Sequence, residues 1–322
     1  MAIRIRQSII KSWSNPSERQ FGIDSPTRLK LSSQQEETFL AMLELGVADN
    51  QMNAAAKLAG LKPEQALKMI SKLSHLLEDS KPTLATAELE RLPTPHSRSF
   101  RTRQSAMVYL PKLDRIGRLV LHTLGHSGIG TVVVGDNTLV TESDCGRLGY
   151  VLEQLGKPKL GILREELKNA PLKIKLDNRM NWADYADIDL ALVVSSGAFQ
   201  PTDYQRWQSL GVDHVGVCFS DKHVLISSLV YAETPCLSCR ELNQWLADPC
   251  RRLVASQVAG HPGLHNSVSI LFAASLTSQK ILAAIDGYST GNDVKLHVDG
   301  AIEFEAAVIN AKCGCQQLQQ EI

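Results

Sequence analysis

At 322 residues, with 43% hydrophobic and 21% charged residues, the chain reads as a globular protein of one large and one small domain, or two of medium size. A net charge of +0 gives no global field that would favour nucleic acid or an anionic membrane. No uninterrupted apolar stretch approaches the roughly eighteen residues a membrane helix needs, and the opening Met-Ala-Ile-Arg-Ile-Arg lacks the apolar core of a secretory signal; a cytoplasmic location with free or metal-bound thiols is expected.

Residues 1–79 form the first region. Arg28–Ser33 (RLKLSS) reads as a short strand. SQQEETFLAMLEL opens on a capping serine and continues with helical apolar spacing. NQMNAAAKLAG and KPEQALKMISKLSHLLED read as two further helices, with Pro63 just inside the second. A strand and three helices, the last two in helix-turn-helix arrangement, predict a small winged-helix-like domain. Residues 80–103 carry Pro82, Pro93 and Pro95 and little apolar periodicity, so they read as a linker with one helical turn around Thr86–Arg91.

Residues 104–322 alternate strand and helix patterns. Met107–Leu110, a helical run to about His126, Thr131–Val134 and Asp136 make a βαβ unit with a carboxylate placed to hold a ribose. VLEQLGKPKLGILREEL reads as helix. LKIKLD, DIDLALVVSS, DHVGVCFS and HVLISSLVYAE read as strands, and TDYQRWQSLG and SVSILFAASLTSQKILAAIDG as helices. DVKLHVDGAIEFEAAVI reads as an antiparallel pair around an Asp-Gly turn. The prediction is an α/β domain with a Rossmann-like, mostly parallel sheet and an antiparallel tail.

Two cysteine doublets stand far apart, Cys236-Leu-Ser-Cys239 and Cys313-Gly-Cys315. A C-x-x-C pair turns both sulfurs to one face, as tetrahedral zinc requires; the C-x-C pair bends more sharply, and Gly314 is expected to give it freedom. Four sulfurs make a closed structural site that staples the chain end to the loop after HVLISSLVYAE. A redox pair, or four small buried residues, are the alternatives. Cys218 reads as core, and Cys145 and Cys250 have no identifiable partner. His122 and His126 share a helix face without a neighbouring acid on it; they and His261 and His265 read as surface or capped histidines.

With these pieces in place, residues from about Arg103 to Cys315 resemble the ThiF/MoeB-like superfamily, the adenylating domain shared with ubiquitin-activating enzymes. GHSGIGTVVVGDNTLVTESDCGRLG, LGKPKL and the two cysteine doublets carry the likeness. SWSNPSERQFGID, SSLVYAETPCLSC, DPCRRLVASQVAGHP and KCGC resemble a bacterial subgroup found with thiazole/oxazole-modified peptide pathways, in which the ThiF-like chain binds a precursor's leader peptide. The resemblance implies ATP and magnesium as cofactors, with Asp136 on the ribose and Arg147 and Lys159 on phosphates. It matches Gly117 to the last glycine of the first turn, assigns the four cysteines to zinc, and implies a homodimer.

Three departures argue against nucleotide chemistry. Lys112 and Asp114 stand where the first two glycines belong, and Ser195-Ser196-Gly197 replaces the region of the magnesium-binding aspartate. Asp114 is placed to cap the helix start, competing with a phosphate for the same N–H donors. Lys112, Arg115, Arg118 and Lys157 offer a countervailing cluster of positive charge. The expected function is therefore capture of a precursor peptide or small protein and its presentation to a partner modifying enzyme, with no catalytic residue of its own. An active adenylyltransferase acting on a C-terminal carboxylate is the alternative. A DNA-binding regulator ranks third, because NAAAKLAGLKPEQALKMISKL offers Lys68 and Lys72 beside Glu64 and no Arg-rich groove reader.

Overall fold

The computed structural model describes residues 2–6, 9–23, 26–79, 99–248, 250–251, 257, 266–288 and 291–316. The expected turn at 86–91, His261 and His265 lie outside them. The chain divides into two compact units, Met1–Phe100 and Arg101–Ile322.

The first unit holds helices α1 (Gln34–Leu45), α2 (Met52–Leu58) and α3 (Pro63–Leu73). Ser33 caps α1 by accepting from the Glu36 N–H, and Glu36 reaches back to the Ser32 N–H. Strand β1 (Ala2–Ile5) lies between β5 (Val47–Ala48) and β6 (Leu77–Asp79), antiparallel to both. A second antiparallel sheet runs in the order β2 (Lys11–Asn15), β3 (Glu18–Phe21), β4 (Thr27–Lys30). Phe21, Leu29, Phe39, Leu43 and Leu73 close one core. The structure adds β1, β2, β3, β5 and β6 to what the sequence led us to expect, ending α3 at Leu73 and making a strand of Leu77–Asp79, which the sequence reading gives to the helix. The missed hairpin strands have only one fully buried member, Phe21, so they show little alternation to read.

The second unit is built on an eight-stranded sheet in the order β14-β13-β12-β11-β10-β7-β8-β9. Five strands are parallel: β9 (Lys173–Leu176), β8 (Thr131–Val134), β7 (Met107–Leu110), β10 (Leu190–Ser196) and β11 (His214–Phe219). Then β12 (His223–Ile226), β13 (Asp293–His297) and β14 (Ile302–Glu305) alternate in direction. Gly300, at φ +91°, makes the last turn possible. This is the mostly parallel sheet with an antiparallel tail that the element pattern predicts.

Helix α4 (Ser99–Ser105) leads into the unit, and buried Arg103 holds Asp286 and the Ser127 carbonyl. One face of the sheet is covered by α5 (Arg115–His126), α6 (Lys159–Glu166) and α9 (Ser267–Ile285) around a core that includes Leu113, Val120, Leu124, Val132 and Ile281. The other face packs Tyr109, Val193, Trp207 of α7 (Pro201–Leu210) and Leu237 of α8 (Leu237–Ala247) together with three of the doublet cysteines. Helix α6 starts only at Lys159; Gly156 at φ +75° and Pro158 interrupt the longer helix the sequence reading proposes. Helix α9 is long and apolar enough to cross a membrane by length and composition, but about half of it is buried inside the protein, with Ala273, Thr277 and Ile281 fully enclosed.

Candidate functional site

The turn between β7 and α5 is where the sequence resemblance places a nucleotide's phosphates. Asp114 sits in extended conformation as the cap of α5 and accepts the Gly117 N–H at 3.0 Å, as its place in the sequence predicts. Burial pushes its carboxyl above the ordinary value. Gly117 is required for a reason of its own: a Cβ there would stand 1.9 Å from the Lys112 carbonyl oxygen. The turn therefore folds down onto the helix start. Tyr150, fully buried, donates to the Leu113 carbonyl at 2.9 Å and fixes it from the far side.

Asp136 follows β8 and is 6% exposed. One carboxylate oxygen accepts the Leu113 N–H at 2.8 Å; the other accepts the Thr138 N–H at 2.8 Å and hydroxyl at 2.7 Å. Burial pushes this carboxyl up, but those hydrogen bonds and Lys159 outweigh it and hold it below the usual carboxylate range. Lys159 Nζ lies 3.0 Å from Asp144 and 3.5 Å from Asp136, with all three side chains buried. Asp136 and Lys159 are thus brought together, while Gly117 meets Asp114 and the Lys112 carbonyl in the turn. Arg147 stays on the surface. Two of the cations the sequence grouped near the turn are engaged elsewhere: Arg115 with the Ser267 hydroxyl at 2.8 Å, and Arg118 with both Glu166 oxygens at 2.7 Å.

At the C-terminal end of β10, Ser195 donates to Asp203 at 2.6 Å. Asp203, in the first turn of α7, is an acid that sequence reasoning missed in this region; the only signal was its place two residues after a helix-starting proline. Glu241 of α8, 2% exposed, accepts the Phe199 N–H at 2.9 Å, and Arg251 donates to the Gly197 carbonyl at 3.1 Å. Both brace the loop after β10, and neither is visible in the sequence as a site residue.

The four cysteines converge. Sγ separations are 3.8 Å for Cys236–Cys239, 3.5 Å for Cys236–Cys313 and 3.5 Å for Cys239–Cys315, and all four sulfurs lie within 4.8 Å of one another. Zinc–sulfur bonds of about 2.3 Å at tetrahedral angles put sulfurs about 3.8 Å apart, so the set fits the metal. Cys236 caps α8 and Cys239 lies in its first turn. The C-x-C bend is made by a 3-10 turn, Gly314–Gln316; Gly314 is not among the described glycines with positive φ, so the freedom foreseen there is not used.

Cys218 is core, 3% exposed, while Cys145 is half-buried and Cys250 exposed. His122 does meet an acid, from another helix: its Nε2 lies 2.9 Å from Glu166, and burial lowers its pKa. His126 stacks beside it at 6.4 Å.

No family model and no curated protein matches the chain. Solved structures do. Escherichia coli MccB with ATP superposes with a TM-score of 0.65 at 14% identity, over 98% of this chain and 99% of that one. The microcin C7 biosynthetic enzyme MccB in complex with N-formylated MccA gives 0.64 at 14% identity, over 98% and 100%. PaaA gives 0.55 at 12% identity, over 78% and 92%. At such identities the likeness is one of fold. The protein has the fold of MccB over almost its whole length.

Proposed function

We propose that this protein binds a precursor peptide through its N-terminal unit and presents it to a partner modifying enzyme, while its ThiF-like unit serves as a zinc-clasped scaffold. The single observation that carries this reading is the inward satisfaction of the nucleotide site. Asp136 spends both oxygens on Leu113 and Thr138, Lys159 is neutralised by Asp136 and Asp144, and Asp114 occupies a helix-start donor. ATP would have to displace buried, charge-assisted bonds worth about 1.5–3 kcal/mol each before gaining any.

We read residues 1–79 as a winged-helix-like peptide-recognition domain joined by a linker at 80–103. Strand β4 is an edge of its sheet, with Arg28 and Lys30 beside Leu29, and strand addition there would supply affinity through the backbone and choice through side-chain pockets. The fold neighbour solved with N-formylated MccA supports a peptide ligand. A cytoplasmic setting suits four reduced thiols. Exposed Val268, Leu271 and Phe272 on α9 support a homodimer.

The second reading is an ATP-dependent adenylyltransferase using Asp136, Arg147, Lys159 and Gly117, with Asp203, bonded to Ser195, as an acid beside the region expected to hold magnesium. The ATP-bound fold neighbour favours it. Calorimetry and fluorescence anisotropy separate the two. The full chain is expected to bind a labelled precursor peptide at about micromolar Kd or tighter, and to give no binding heat with Mg-ATP at about 1 mM. Micromolar Mg-ATP binding would reverse the choice.

A further inference from the structure

The two edges of the large sheet carry opposite charges in the same alternation. Edge β9 reads Lys173-Ile-Lys-Leu176, and edge β14 reads Ile302-Glu-Phe-Glu305. Each has one partner strand among the described residues. The β9 lysines are exposed, and so are all four residues of β14, with Phe304 at 69%. A cavity of about 500 Å³ opens beside Ile174, Leu176 and Met180.

The pairing registers fix which face each side chain takes. Ile174 stands beside Val132 on the face under α5 and α9. Phe304 pairs with Val294 and through it with Ile226, on that same face; Ile302 follows Leu296 and Val224 there. Lys173, Lys175, Glu303 and Glu305 therefore occupy the opposite face. Directions agree as well. Strand β9 runs with β11, and three successive antiparallel steps leave β14 opposed to it. A second copy displaced along the sheet would thus lay its β9 antiparallel to β14 of the first. With Ile174 opposite Phe304, Lys173 meets Glu305, Lys175 meets Glu303 and Leu176 meets Ile302: all four cross-strand pairs are complementary.

Like edges cannot do this. An antiparallel two-fold pairing of β14 with itself must set Glu303 against Glu303 or Glu305 to keep faces matched, and β9 with itself sets lysine against lysine. Edge lysines ordinarily keep sheets apart; opposite a glutamate-bearing edge they attract.

We propose that copies of this chain associate head to tail through β9 of one and β14 of the next, continuing the sheet across the contact. The contact is heterologous, so it builds rings or open chains rather than a closed pair. Arg164, which donates to the Ile174 carbonyl at 3.0 Å, must release it for the ladder to form, and Glu305 and Glu303, which face Lys295 at 2.6 Å and His297 at 3.3 Å on β13, must share their charge with the incoming lysines.

The test mixes isotope-labelled and unlabelled full-length protein at low salt, applies a zero-length carbodiimide cross-linker, and reads mixed-isotope links by mass spectrometry beside sedimentation velocity. Lys175–Glu303 and Lys173–Glu305 links between copies are expected, with species larger than a dimer that weaken as salt rises. Lys173→Glu with Lys175→Glu, and separately Glu303→Lys with Glu305→Lys, should each weaken association at least tenfold with circular dichroism unchanged. An equimolar mixture of the two double variants should recover it, because an acidic β9 then finds a basic β14. Wild-type protein that gives no mixed links at any concentration, variants that assemble like wild type, or a mixture that stays dissociated would each overturn the proposal.

Discussion

Cys239→Ser is expected to lower the thermal midpoint by roughly 8–16 °C, on a loss of about 4 kcal/mol at 2–4 °C per kcal/mol for a domain of this size. Cys239 is fully buried in the first turn of α8, and its sulfur lies 3.5 Å from that of Cys315. The closed four-sulfur set supplies no open position for chemistry, so its contribution is to folding. The helix it anchors carries two further ties. Arg240 binds Asp293 of β13 through two nitrogens at 2.7 and 2.8 Å, and Glu241 holds the Phe199 N–H beside β10. Loosening the clasp therefore reaches both the antiparallel tail and the loop after β10. Scanning fluorimetry, with zinc counted by elemental analysis, checks it. One zinc per chain and a chelator-sensitive midpoint are expected in the wild type; an unchanged midpoint in Cys239→Ser would assign the four thiols to packing alone.

The parallel core was legible because its signals are local. Met107–Leu110 and Thr131–Val134 are continuous apolar runs, Asp114 stands where a cap is needed, and Asp299-Gly300 marks a hairpin. The clasp was legible because two close cysteine doublets, C-x-x-C and C-x-C, stand in a chain with only seven cysteines. The bracing of the site was not. Asp144 and Lys159 are fifteen positions apart with no periodic relation, Glu241 reaches Phe199 across 42 residues, and Arg251 reaches Gly197 across 54. Such pairs are set by how loops close over strand ends, which sequence spacing does not encode. The turn shows the same limit. Sequence correctly places Asp114 on the helix start, but that Gly117 is demanded by the Lys112 carbonyl follows only from the folded path.

Lys159→Ala is expected to cost about 3–5 kcal/mol at pH 7, because it strips the cation from a buried site and leaves two carboxylates facing it. Asp136 and Asp144 are 6% and 4% exposed, so water cannot readily replace the lysine. The adenylyltransferase reading makes a different forecast: there Lys159 serves bound ATP, and its loss should weaken nucleotide binding while leaving the apo protein's midpoint nearly unchanged. The pH dependence adds a signature. The folded Asp136 carboxyl lies below its unfolded value, so its contribution is present above about pH 4 and is lost as pH falls through the folded value. Without Lys159 that depression shrinks, Asp136 protonates at higher pH, and part of the penalty is relieved in acid. The stability gap between wild type and Lys159→Ala, from urea unfolding, should therefore narrow between pH 7 and about pH 4. Adding Asp144→Asn to Lys159→Ala should recover part of the loss, since it removes one of the two stranded charges. A gap that is constant with pH, or a single variant as stable as wild type, would mean that Lys159 is free to leave the carboxylates for a phosphate.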